Sequence, residues 1–159
     1  MFADMPRGAA MGRLVQWQEK LGQRGGKSRQ NVLIIFAADN GISVEYCSIY
    51  KPMQSALIVQ EHLNGQSPTS RLLKAMQTRE IIVDVGLATP VNDTHILNRN
   101  IRRGSRNFLQ EDALEEKEIV RAIETGVGLW DEISGSDFDI IAVGEIGISN
   151  TLCAAAIAS

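Results

Sequence analysis

The run VLIIFAADNG, residues 32–41, decides how the chain folds. From Val32 to Ala37 every side chain is apolar, with β-branched residues prominent. A strand with one face in water alternates apolar and polar residues, whereas a strand buried on both faces does not. Two further runs share this character, Ile81–Val85 (IIVDV) and Phe138–Val143 (FDIIAV). Runs of this kind belong to parallel sheets covered on both sides, and parallel neighbours need helical crossovers between them.

The intervening segments have helical period. Ser55–Leu63 is one such segment, stopped by Asn64-Gly65; Thr69–Met76 is a second. Leu114–Ile133 is a longer one, entered after Glu111-Asp112, whose charges suit a helix N-terminus. At the C-terminal end, Ser149-Asn150-Thr151 supplies N-cap residues for a small-residue helix over Leu152–Ala158. Gly12–Leu21 also reads as helix and runs into GQRGGKS, a glycine-rich link. The alternation predicts an open α/β sheet with right-handed crossovers over residues 27–159, preceded by a helical segment and link over 1–26. Gly86–Gly104 is long for a connection in such a sheet, and long loops are often functional or mobile.

The 159 residues are 44% hydrophobic, enough for one sizeable core, and carry a net charge of −3. That balance gives no long-range attraction to nucleic acid or to an anionic membrane surface. No apolar run reaches the roughly 18 residues of a membrane span, and the N-terminus has no export signal. Cys47 and Cys153 lie far apart without metal-ligand spacing, so neither a disulfide framework nor a metal site is expected. A cytoplasmic protein is the expectation.

The informative regularity lies just beyond each strand. The first continues into Asp39-Asn40-Gly41, the second carries Asp84 before Gly86, and the third runs into Gly144-Glu145-Ile146-Gly147. Ligands of parallel α/β sheets bind outside the carboxyl ends of the strands. Glycine allows a close backbone approach there, and an acid accepts hydrogen bonds from hydroxyls or nitrogens. Asp and Gly are also ordinary turn residues, so a ligand crevice and plain turn chemistry both fit each end taken singly. The helix N-terminus after Gly147 is suited to a phosphate, although the turn is neither a P-loop nor a G-x-G-x-x-G fingerprint. Arg99, Arg102, Arg103 and Arg106 read as a solvated basic loop, with a phosphate grip as the alternative. His62 is expected on a helix face, His95 in a loop, and Cys153 as a small buried residue.

Five ordered segments carry a resemblance. MPRGAAMGRL is similar to K-P-P-G-S-L-G-R-L, FAADNG to A-D-H-G with Asn40 in place of the usual histidine, and VDVG matches directly. RRGSRN resembles G-T-x-N, and GEIGISNT resembles G-E-M-G-I-G-N-T. Together they resemble the nicotinate-nucleotide:dimethylbenzimidazole phosphoribosyltransferase family of cobalamin lower-ligand synthesis, over its N-terminal half. The resemblance implies a Rossmann-like α/β fold, usually homodimeric, working without a metal or other cofactor. It implies transfer of phosphoribose from nicotinate mononucleotide to a benzimidazole nitrogen, with inversion to the α-nucleotide.

Carried over motif by motif, Glu145, Ile146, Gly147, Ser149, Asn150 and Thr151 line the ribose-phosphate site. Asp39, Asn40, Gly41, Asp84 and Gly86 stand at the neighbouring strand ends. Tyr50 and the helix face at Ser55 and Ile58 line the base pocket, where an apolar Ile58 offers the base no hydrogen bond. The resemblance places the family's general-base glutamate and a phosphate-side lysine beyond Ser159, so no catalytic residue is assigned in this chain. Two readings stay open: a truncated part of such an enzyme, which need not be active alone, or a nucleotide-binding or partner subunit without the base. An uncovered last strand favours pairing with another copy or with a C-terminal half.

Overall fold

The computed structural model describes residues 30–159. The expected helix over 12–21, its glycine-rich link and the motif MPRGAAMGRL lie outside the described residues. From there the order is β1 (Asn31–Ala38), a 3-10 turn (Gly41–Glu45), α1 (Ser55–Leu63), α2 (Pro68–Ala75) and β2 (Arg79–Gly86). It continues with β3 (Ile96–Asn98), α3 (Glu116–Ser134), β4 (Ile140–Ile146) and α4 (Asn150–Ala158). The four strands form one sheet in the order β3-β2-β1-β4, and every pairing is parallel. The open, parallel α/β architecture expected from the apolar runs is the one present.

β1 is the central strand. In register, Ile34 lies between Ile81 of β2 and Val143 of β4. Its side chains alternate between two cores, which is why the run carries no polar residue. On one face Val32, Ile34 and Val83 pack with Leu129 and Ile133 of α3. On the other, Ile35, Ala37, Ile82 and Leu87 pack with Val59 of α1. Side chains of this size, removed from water, contribute about 1.5–3 kcal/mol each.

Four expectations need correction. The last strand begins at Ile140 rather than Phe138, because Phe138 N–H still donates to Ser136 O at 2.8 Å within a turn. The long connection after β2 contains a strand, β3, which pairs with Ile82–Asp84 and has only three residues. His62 does not merely ride a helix face. It is 2% exposed, with Nε2 2.7 Å from Glu80 Oε2 and Nδ1 2.8 Å from Ser67 Oγ, and so ties α1 to the start of β2. Cys153 is half-buried rather than buried.

Candidate functional site at the strand ends

The strand order creates the site. From β1 the chain proceeds to β2 on one side, and it returns through α3 to β4 on the other. The chain thus reaches the two neighbours of β1 by separate routes, and the gap outside the carboxyl ends of the strands is where open α/β sheets receive ligands. Asp39-Asn40-Gly41 and Gly144–Asn150 meet at this gap. Asn40 Nδ2 donates to Ile148 O at 2.9 Å and to Asn150 Oδ1 at 2.6 Å, a direct bridge across it. Gly147 is the point of closest approach: a Cβ there would stand 2.7 Å from Ala38 O and against the Asn150 side chain.

The floor is built from buried polar groups. Asp39 is 1% exposed; its Oδ1 accepts from Ser55 N–H and its Oδ2 from Ala88 N–H, both at 2.9 Å. The first of these places a carboxylate at the positive end of α1, where the helix has no side-chain cap of its own. Ser55 is fully buried, and its Oγ accepts from Ile148 N–H at 3.0 Å. One carboxylate and one hydroxyl thus link β1, α1, the loop after β2 and the turn after β4.

Asp84 is equally committed. It is 3% exposed, and its Oδ1 accepts from Gly86 N–H, Leu87 N–H and Asn100 Nδ2 at 2.8–3.0 Å. Its Oδ2 pairs with Arg103 at 3.1 Å. The segment after β3 is laced to the same ends, with Gly104 N–H donating to Gly86 O and Ser105 N–H to Asp39 O. Gly41 N–H donates to Ser105 Oγ, and a Cβ at Gly41 would come within 2.6 Å of Arg106 O.

The arginine cluster is therefore not a solvated loop. Arg99 pairs with Glu132, Arg102 with Glu118, Arg103 with Asp84, and Arg106 with Glu111, Glu115 and Glu118. The hydrogen bond from Arg106, followed by that from Glu115 N–H, holds the Glu118 carboxyl below the usual carboxylate range. The same pair raises Arg106. These charges anchor the segment to α3.

Glu145 differs from both aspartates. It stands opposite Phe36 in register, near the end of β4, and is exposed, with no ion pair among the described residues. Behind it Ser149 takes the N-cap position of α4 in the left-handed region, φ +69°. That conformation favours glycine, the residue at this position of the motif G-E-M-G-I-G-N-T. Among the described residues no cluster of three metal-ligating side chains occurs.

The structure thus brings Asp39, Asn40, Gly41, Ile146, Gly147, Ser149 and Asn150 together, with Asp84 and Gly86 at the adjoining strand end. Thr151 is exposed in the first turn of α4. Tyr50 is 56% exposed on the segment before α1, and its N–H donates locally to Ser48 Oγ. Ile58 is half-buried in α1. Ser55 has its hydroxyl occupied by the turn after β4. Asn100, Arg103 and Ser105 buttress the strand ends, a role that sequence reasoning misses. Their only sequence signal is the polar run RNIRRGSRN beside two acidic strand ends.

Comparison with known proteins agrees with this architecture. A family model described as "Phosphoribosyltransferase" (DBI_PRT) matches residues 4–159. A nicotinate-nucleotide–dimethylbenzimidazole phosphoribosyltransferase of Clostridium tetani is 32% identical over 130 residues, 82% of this chain and 36% of that protein. The protein of the same name from Roseiflexus sp. is 29% identical over 157 residues, 96% of this chain and 44% of its own length. The crystal structure of the Thermus thermophilus enzyme of that name superposes with a TM-score of 0.74 at 27% identity, covering 80% of this chain and 39% of that one. CobT from the same organism shares the fold, with a TM-score of 0.76 at 24% identity, over 97% of this chain and 47% of its own. The chain spans less than half the length of these relatives.

Proposed function

We infer a function from one premise: the chain belongs to the phosphoribosyltransferase family whose model it matches. The reading is that the gap between β1 and β4 holds nicotinate mononucleotide for transfer of its phosphoribose to dimethylbenzimidazole or a related base, giving α-ribazole phosphate for cobalamin synthesis. The observation that carries it is the bridge from Asn40 to Ile148 and Asn150, which joins the ends of β1 and β4 beside Gly147. A bare backbone at Gly147 and the positive end of α4 suit a phosphate, with the Ser149 and Thr151 hydroxyls and the Asn150 amide within the same turn. The exposed Glu145 carboxylate suits the ribose hydroxyls. Asp39, Asp84 and Gly86 act through the walls they build. Tyr50 and the helix face at Ser55 and Ile58 are assigned to the base.

In the transfer, the bond from C1′ to the nicotinate nitrogen breaks and a bond from C1′ to the base nitrogen forms on the opposite face. The proton on the other azole nitrogen then leaves. The residues named here bind and orient the donor, and none is assigned the proton. Because the chain spans 36% to 47% of the length of the relatives compared above, binding and transfer are tested separately.

Calorimetry with nicotinate mononucleotide tests binding: heat of binding is expected, and Gly147→Asp is expected to abolish it with the circular dichroism unchanged. Binding that is indifferent to Gly147→Asp would overturn this placement of the site. Adding dimethylbenzimidazole and following α-ribazole phosphate tests transfer. Product made by this chain alone would exclude the second reading, a nucleotide-holding partner subunit without the base.

The reading includes a cytoplasmic setting and an assembly larger than one chain. β4 has one open edge among the described residues, where Val143 is 68% exposed, and α3 turns Ile119, Ile123, Val127 and Trp130 outward. Light scattering at micromolar concentration checks the assembly, and a monodisperse monomer contradicts it.

A further inference from the structure

Two cysteines that are 106 positions apart in sequence, Cys47 and Cys153, both contact Ser149. Cys47 is exposed on the segment that leaves the 3-10 turn, and its Sγ lies 3.1 Å from Ser149 Oγ. Cys153 is in the first turns of α4, where its N–H donates to Ser149 O at 3.1 Å. Ser149 therefore touches both cysteines, its hydroxyl against the Cys47 thiol and its carbonyl accepting from the Cys153 backbone N–H. Both flanks hold a non-glycine residue in the left-handed region, Tyr46 at φ +53° and Ser149 at φ +69°. Burial pushes the Cys153 thiol above its ordinary value, and the nearby Cys47 adds to the shift.

We propose that Cys47 and Cys153 are a thiol pair that closes to a disulfide across the crevice when it meets a low-molecular-weight disulfide. The steps balance as an exchange. The exposed Cys47 thiolate attacks one sulfur of the small disulfide, and the other sulfur departs as thiolate. The Cys153 thiolate then attacks Cys47 Sγ in the mixed disulfide and expels the second small thiol. Two protein thiols are oxidised and one small disulfide is reduced to two thiols. The order follows from access: Cys47 is exposed, whereas Cys153 is half-buried. Closure replaces the contact between Cys47 and Ser149 with a covalent link. The link fastens the first turns of α4 to the segment after the 3-10 turn, on both sides of the Asn40 bridge. The pairing stands on the contact that each cysteine makes with Ser149 and holds whichever ligand occupies the crevice.

The test is incubation of the intact chain with oxidised glutathione, followed by mass spectrometry and peptide mapping without reductant. The expected product is a monomeric chain lighter by two hydrogen atoms, with the Cys47 and Cys153 peptides joined. Cys153→Ser is expected to stop at a glutathione adduct on Cys47, and Cys47→Ser to leave Cys153 unmodified at the same oxidant concentration. A wild-type chain that retains glutathione on Cys47 while Cys153 stays free overturns the proposal, since the second exchange would then have failed. Disulfides formed only between chains overturn it equally.

Discussion

The ends of β1 and β2 and the end of β4 look alike in sequence, each an acid near a glycine after an apolar run, yet they hold their acids in opposite ways. Asp39 and Asp84 are buried and accept backbone N–H groups from loops that would otherwise have no partners. Glu145, near the end of β4, is exposed and has no ion pair among the described residues. Neighbouring donors decide between the two. A carboxylate that meets several N–H groups within reach becomes part of the framework, whereas one that meets none is left for a ligand.

The strongest way to break this comparison is Asp39→Ala. It removes two charged hydrogen bonds and strands Ser55 N–H and Ala88 N–H in a buried site, so a loss of about 3–4 kcal/mol is expected in urea unfolding. A loss below about 0.5 kcal/mol would mean that the framework role is wrong. Gly147→Ala comes next, because its methyl must displace Ala38 O or the Asn150 amide. About 1–3 kcal/mol of destabilisation is expected, together with weaker nucleotide binding.

Acid titration of stability sharpens the same contrast for the arginine-laced segment. Glu118 has its folded pKa lowered, so its contribution is present above the unfolded carboxylate value and is lost as pH falls through the folded one. Glu118→Gln is expected to flatten that part of the urea midpoint against pH, and an unchanged profile would remove Glu118 from the account.

Ser149→Gly has the opposite sign. Relief of the left-handed backbone is expected to raise stability by about 1 kcal/mol, read as a higher melting temperature. Glu145→Gln is the mildest for the fold, within about 0.5 kcal/mol of the parent chain, while nicotinate mononucleotide binding weakens. Equal losses from Asp39→Ala and Glu145→Gln would erase the distinction between the two kinds of strand end.

The sheet was legible because β1 and β2 are buried on both faces and advertise that burial along their whole length. Ser55–Leu63 was legible as a helix for the same reason, its Val59 meeting the core at helical spacing from Ser55 and His62. β3 was not legible, because three residues paired only with β2 owe their extended form to that neighbour. The arginines were misjudged because their partners are remote: Glu115 and Glu118 lie nine and twelve positions after Arg106, on the next helix. The acids at the strand ends were located correctly, but their burial was invisible, since it depends on where Ser55, Ala88 and Asn100 arrive in space. The two cysteines, far apart along the chain, gave no warning of their shared contact with Ser149.

The bridge between Asn40 and Asn150 spans 110 positions, and the pairing of β1 with β4 encloses nearly the whole described chain. Contacts this distant along the polypeptide form only after a large loop has closed. During synthesis, β1, α1 and β2 emerge first and have their parallel pairing available early, whereas the crevice has no second wall until Gly144–Thr151 leaves the ribosome. The second wall of the crevice is therefore the last part of this region to form, and the central strand waits with one edge bare until it does.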